Sequence, residues 1–216
     1  MRKRFEYGQE EMNYLKTKDP KLGIFIDKIG YLERFVDDNL YFSLVAAIVS
    51  QQISGKAADT VLERIKAVVG NVNPENIAQC SSDDLQKCGL SWRKVSYIKD
   101  FTNKIINEEL NLNDLKIMTD EEIIRKLDAL KGFGPWTAEM LLIFSLERKN
   151  ILSFNDFAIQ KGLRLLYHHR LITPILFHKY QKRYSPYATI ASFYLWEIAT
   201  KNFGLKDYQI KTNTKK

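Results

Sequence analysis

Two glycines one residue apart, Gly132 and Gly134, interrupt an apolar-periodic run and are followed at once by Pro135 and a second apolar run. The full stretch is Leu130-Lys131-Gly132-Phe133-Gly134-Pro135-Trp136-Thr137-Ala138. Glycine accepts positive φ without steric cost, so this spacing permits a tight hairpin between two helices. Pro135 suits the first helical position, where a missing N–H is no loss. A hairpin of this kind directs main-chain N–H groups outward at a helix N-terminus, a natural seat for an anion such as a phosphate. The plainer alternative is a helix connection in which the glycines serve only to turn the chain, and Gly-x-Gly by itself does not separate the two.

Helical periodicity governs the rest of the chain. Leu40, Leu44, Ala47, Ile48 and Gln51 form one stripe ending near Gln51 and Gln52. Ala58, Val61, Leu62, Ile65, Val68 and Val69 form a second, stopped by Gly70. Ser82-Asp83-Asp84-Leu85 carries N-cap chemistry, with Gly89 as the stop, and Ser91 caps a helix bearing Val95, Ile98, Phe101, Ile105 and Leu110. Thr119 and Glu122 form a capping box before Ile123, Ile124, Leu127 and Leu130. After the hairpin, Ala138, Leu141, Leu142 and Leu146 turn inward. A strand-like approach, Ile151 to Phe154, leads to Asp156 and a helix from Phe157 through Ile159, Leu163 and Leu166. The last long helix is expected to open at Ser185-Pro186, carry Ile190, Phe193, Tyr194 and Ala199, and end at Gly204. The expected fold is all-α, as two helical lobes around a cleft: residues about 35–120 in one, 1–34 and 121–205 in the other, with 206–216 a basic tail.

The chain has 216 residues, 45% of them hydrophobic, enough for a sizeable core. Its formal charge of +7 favours polyanionic partners. Cys80 and Cys88 are too few for a four-cysteine iron–sulfur cluster or structural zinc site and read as structural thiols in a reducing compartment. His168, His169 and His178 have no metal-ligand spacing and read as surface or packing residues. No apolar run reaches the ~20 residues of a membrane span. Met1-Arg2-Lys3-Arg4 is basic with no apolar run behind it, unlike a signal peptide. These features predict a soluble cytoplasmic protein.

Asp156 stands directly before a helix, so its carboxylate belongs at a helix N-terminus. An isolated acid in that place is usually a plain N-cap. Its company, Trp136 and the hairpin upstream, is what raises a second possibility.

Taken in order, these segments resemble the helix–hairpin–helix DNA glycosylases, specifically the 3-methyladenine DNA glycosylase II group. The likeness is carried by Ala46-Ala47-Ile48-Val49-Ser50-Gln51-Gln52-Ile53-Ser54 with Ala57-Ala58, by Gly89-Leu90-Ser91-Trp92-Arg93-Lys94 with Tyr97-Ile98, by the hairpin Gly132 to Ala138, and by the turn Phe154-Asn155-Asp156. It covers roughly residues 20–205. The N-terminal β-domain of some members is not expected here, because the chain leads almost directly into helices.

The resemblance implies that Asp156 is the catalytic aspartate. Trp136 falls where bifunctional relatives carry a nucleophilic lysine. Without an amine no Schiff base forms with the sugar, so water is the expected nucleophile and no lyase activity is expected. Gln52 falls where relatives insert a side chain into the gap left by an extruded base; the alternative is a loop amide capping a neighbouring helix. Trp196, Phe157 and Met140 fall on base-pocket positions, although Met140 replaces an aromatic and leaves the cage less complete. For Trp136 and Trp196 core packing remains open. Lys131, Gly132, Phe133, Gly134, Thr137 and Lys161 are implied contacts to the DNA backbone, with the two lysines equally readable as solvated charges. The family also holds a monovalent cation on hairpin carbonyls, here Leu130 and Phe133.

The chemistry agrees with these roles. Breaking an N-glycosidic bond builds positive charge on the sugar, which a fixed carboxylate stabilises while orienting water. A helix N-terminus favours the charged carboxylate, suiting a stabiliser better than a general acid. A ring-alkylated base is already cationic and is drawn to an indole face by up to ~2 kcal/mol when desolvated. The sequence thus predicts a monofunctional glycosylase releasing alkylated purines from duplex DNA by base flipping. It requires no cofactor beyond a structural Na⁺ or K⁺ and no iron–sulfur cluster, and acts as a monomer away from membranes, with the nucleoid or nucleus as its place of work. The alternatives are a glycosylase for deaminated, oxidised or mispaired bases, and a non-catalytic binder of distorted DNA.

Overall fold

The computed structural model describes residues 3–208; Met1, Arg2 and residues 209–216, which include most of the expected basic tail, lie outside the described residues. In chain order the elements are β1 (Lys3–Arg4), α1 (Gln9–Lys18), α2 (Pro20–Ile29), β2 (Phe35–Val36), α3 (Leu40–Ser50), α4 (Gly55–Val69), α5 (Pro74–Gln79), α6 (Ser82–Lys87), α7 (Trp92–Ile106), a 3₁₀ turn (Asp114–Lys116), α8 (Asp120–Asp128), α9 (Pro135–Phe144), α10 (Phe157–Tyr167), α11 (Pro174–Tyr184) and α12 (Ala188–Lys201). The fold is helical as expected, except that β1 and β2 pair antiparallel as a two-residue ribbon. Strands this short carry no alternation to detect.

The described residues form two compact units, Asp37–Leu146 and a second made of Lys3–Val36 with residues 147–208. The second crossover therefore falls at 146/147 and not near 120. The reason is packing: α9 lies against α3 as well as α8, which keeps the whole hairpin with the first unit.

In the first unit α3 is apolar on nearly every side, and Leu40, Tyr41, Leu44, Val45, Ile48 and Val49 are all buried. Its one buried hydroxyl, on Tyr41, is satisfied at 2.7 Å by Thr102, as a buried polar group requires. Phe101 of α7 meets Tyr41 and Phe133 edge to face, each at 5.7 Å, and so joins α3, α7 and the hairpin. Lys99 of α7 donates to the carbonyls of Ile77 (2.7 Å), Ala78 (3.0 Å) and Cys80, closing the C-terminus of α5.

The second unit is organised by α10 packed on α12. Gly162 makes this possible: a Cβ there would lie 2.5 Å from the Leu195 carbonyl oxygen. Asp19, at the N-cap of α2, is buried and accepts from the Leu22 N–H (3.1 Å), the Tyr167 hydroxyl (2.5 Å) and Arg183 (2.7 Å). A carboxylate withdrawn from water needs such a set.

Element boundaries mostly follow the caps. Gly70 stops α4 at φ +71, and Thr119 with Glu122 closes a reciprocal capping box on α8. Three expectations shift. Ser81, not Ser82, caps α6, taking the Asp84 N–H at 3.0 Å. Ser185-Pro186 is a cis bond ahead of α12, whose cap is Tyr187, and α12 ends at Lys201 rather than at Gly204. Ile151 to Phe154 forms no strand. Thr189 takes the Ile151 N–H at 2.9 Å and Ser192 donates to its carbonyl at 3.1 Å, so two hydroxyls of α12 replace a sheet ladder. Periodicity alone gives no bounds for α1, α2, α5 and α11, although the last three carry a legible signal, Asp19-Pro20, Asn73-Pro74 and Thr173-Pro174, an N-cap followed by proline.

Candidate functional site

Asp156 sits in the second unit as the N-cap of α10, only 7% exposed, and its carboxylate accepts the Ile159 N–H at 2.8 Å. Its own N–H reaches the Ser153 carbonyl at 3.4 Å, and the Gln160 amide holds the Phe154 carbonyl at 2.6 Å. The turn is thus held at both sides, upstream by α12 through Ile151 and downstream by α10. The plain capping role is real. The same bond fixes the acid's position at the start of α10.

Phe157 follows Asp156, is 68% exposed, and has the Arg164 guanidinium 5.9 Å from its ring centre. Lys161, one turn further along α10, is half-buried, as is Trp196 of α12, whose ring lies 5.9 Å from that of Phe193. Beside Trp196, Glu197 receives Lys201 at 2.9 Å and Arg34 at 2.8 Å. The hydrogen bond from Lys201, helped by Arg34 against the opposing effect of burial, holds the Glu197 carboxyl below its usual pKa.

The hairpin belongs to the first unit, and its glycines are not equivalent. Gly132 has φ +88, and a Cβ there would stand 2.3 Å from the Tyr97 ring. Gly134 has φ −125, needs no special freedom, and faces open space. The expectation of two turning glycines is corrected on this point: one turns the chain, and the other keeps a surface low. The Phe133 N–H is engaged inside the turn by the Leu130 carbonyl at 3.2 Å, so it is not one of the outward donors expected there. Among the described residues no backbone acceptor takes the N–H of Gly134 or Thr137, as the start of a helix requires. Phe133 is buried by its ring and Leu130 by its side chain, which leaves only main-chain atoms of these two for any ligand. The Leu130 carbonyl keeps a second lone pair, and neutral carbonyls are donors that suit hard cations. No cluster of three or more His, Cys, Asp or Glu side chains able to hold a metal occurs among the described residues.

Lys131 is exposed and ion-paired to Asp100 at 3.4 Å. Trp136 is the second residue of α9 and 46% exposed, which disfavours a plain core role, and Met140 stands one turn on along the same face, half-buried.

Gln52 lies exposed in the loop between α3 and α4 with φ +60, a region that L side chains rarely occupy. Its neighbour Gln51 donates its side-chain amide to the Gly132 carbonyl at 2.6 Å, and Lys94 of α7 donates to the carbonyls of Val49 and Gln51, both at 2.7 Å. Gln51, Lys94 and Tyr97 were not singled out as site residues by sequence reasoning, although all three lie in segments that carry the family resemblance.

A family model described as HhH-GPD superfamily base excision DNA repair protein matches residues 45–184. DNA-3-methyladenine glycosylase 1 of Schizosaccharomyces pombe is 33% identical over 183 residues, spanning 82% of this chain and 78% of that one. The crystal structure of a DNA-3-methyladenine glycosidase from Bacillus halodurans superposes with a TM-score of 0.81 at 34% identity, covering 91% of this chain and 92% of that one. A 3-methyladenine DNA glycosylase of S. pombe in complex with abasic DNA gives 0.77 at 28% identity, over 89% and 97% of the two chains. The chain belongs to the HhH-GPD superfamily of base excision DNA repair proteins.

Proposed function

We propose that this protein is a monofunctional DNA glycosylase that releases alkylated purines of the 3-methyladenine type from duplex DNA. The observation that carries the reading is Asp156, an acid buried at the N-cap of α10 on a turn pinned from both sides, in a chain similar to proteins named for this activity.

In this reading the damaged nucleotide is turned out of the duplex, at a cost of a few kcal/mol, and Gln52 fills the vacancy. The N–H groups of Gly134 and Thr137 hold a phosphate, with Lys131 adding charge, and Lys161 on the second unit is read as a separate backbone contact. The carbonyls of Leu130 and Phe133 would hold a monovalent cation that adds positive charge beside that phosphate. The C1′–N bond breaks with its electron pair passing to the base, which was cationic and leaves neutral. The Asp156 carboxylate stabilises the positive sugar and directs a water to C1′; the water's proton passes to the acid or to solvent. Trp136 and Met140 of the first unit, and Phe157 and Trp196 of the second, are each read as contacts to the base, and an indole face favours a cationic base over a neutral one. An indole at position 136 offers no amine, so the strand stays intact.

The test is release of free base from methylated duplex DNA by the purified protein. Asp156→Asn is expected to lower the single-turnover rate at least about a hundredfold, the scale of a lost electrostatic stabiliser, while binding of abasic DNA persists. Unchanged turnover in that variant refutes the assignment. Borohydride is expected to trap no covalent adduct, and a trapped adduct would restore a lyase mechanism.

A further inference from the structure

Four contacts in the first unit close into a ring. Lys94, at the start of α7, donates to the carbonyls of Val49 and Gln51 and so completes the C-terminus of α3. Gln51 reaches from that terminus to the Gly132 carbonyl at 2.6 Å. Gly132 lies flush on the ring of Tyr97, where even a methyl group would collide. Tyr97 returns to Lys94, one turn back on α7. The backbone of Lys94 is itself fixed, because its N–H is taken by the capping hydroxyl of Ser91 at 3.3 Å. At the free edge of this ring stands Gln52 with φ +60. A non-glycine residue in that region persists only where its surroundings over-determine it, and such outliers gather at functional sites. Here the neighbouring carbonyls are clamped from one side and the neighbouring side chain from the other.

We propose that Lys94 and Gln51 are positioning residues for base extrusion: they hold Gln52 in its left-handed backbone conformation and tie it to the hairpin. The wedge and the phosphate seat then meet the duplex as one rigid piece. The inference rests on the glycosylase reading and on Gln52 as the wedge, but the tie itself is a property of the free protein.

Lys94→Met removes both donations to the α3 terminus, and Gln51→Leu removes the link to the hairpin while keeping the side chain's bulk. Two readouts test the ring. In hydrogen exchange of the free protein, each variant should speed exchange in residues 49–54 and in 130–134 together; acceleration confined to one segment overturns the tie. In single-turnover release from a duplex with one 7-methylguanine, each variant should lose roughly tenfold, the weight of one left-handed residue no longer held in place. In a Gln52→Ala background the same changes should cost less than about threefold, because the residue they position is gone. An equal loss in both backgrounds, which a merely structural role would give, overturns the proposal. If Lys94→Met does not fold, Gln51→Leu decides alone. A wild-type protein that releases no base sinks the glycosylase reading and this role with it; an active wild type with unaffected variants sinks this role only.

Discussion

Replacing Gly132 by alanine puts a methyl carbon 2.3, 2.8 and 2.9 Å from Cδ2, Cε2 and Cγ of Tyr97. Comfortable carbon–carbon contact is about 3.5–4.0 Å, so more than about 1 Å of room is missing. Turning the ring about its own axis cannot create it, because Cγ is the ring's root. The whole side chain must leave its rotamer, or the hairpin must lift. Overpacking of this kind costs about 1–3 kcal/mol. The φ of +88 adds a second, independent penalty, about 1–2 kcal/mol for a residue with a Cβ. Gly132→Ala should therefore destabilise the protein by about 2–5 kcal/mol in urea unfolding. In a Tyr97→Ala background only the backbone penalty remains, so the same change should cost about 1–2 kcal/mol. Gly134→Ala is the internal control: with φ −125 and open space around it, it should stay within about 1 kcal/mol of wild type. The same variant should weaken DNA binding if phosphate approaches that surface. A Gly132→Ala protein as stable as wild type, or an equal cost with and without the Tyr97 ring, would falsify this account of the hairpin.

Other substitutions probe the frame around Asp156. Gly162→Ala drives a methyl group to 2.5 Å from the Leu195 carbonyl oxygen, backbone that cannot step aside, so stability should fall by at least about 1–3 kcal/mol and base release should fall with it as α10 shifts; thermal unfolding and single-turnover release check both. Thr189→Val removes the hydroxyl that takes the buried Ile151 N–H and donates to the Arg148 carbonyl at 2.6 Å; the orphaned groups should cost about 1–3 kcal/mol in urea unfolding. Glu197 carries a pH signature. Its folded pKa is held below the usual value near 4.5, first by Lys201, so its contribution is complete above the unfolded pKa and is lost as pH falls below about 4.5 toward the folded one. The gap in melting temperature between wild type and Glu197→Gln should therefore be full at pH 6 and shrink toward pH 3; a gap that widens in acid contradicts the pairing with Lys201 and Arg34.

Much of this molecule is written in short-range chemistry. The stripe of α3, the caps at Ser91 and Thr119, Pro135 at the start of α9 and Asp156 at the start of α10 all follow from residues within one or two turns, and the family likeness rests on the same segments. Three things did not follow. The unequal glycines depend on Tyr97, far earlier in the chain, because whether a Cβ fits is a question about the neighbour and not about the turn. The support beneath Asp156 comes from Thr189 and Ser192, hydroxyls spaced for a helix face, with no local sign that their partner is a buried loop backbone. Lys94 looks like any surface lysine in sequence, yet its amine is turned inward onto two carbonyls, and burial pushes its pKa down. Local sequence decides where helices begin and end, since capping and periodicity act over a few residues. Which buried donor meets which distant carbonyl is decided only when the chain closes on itself, because hydrogen bonds and close packing are satisfied across space.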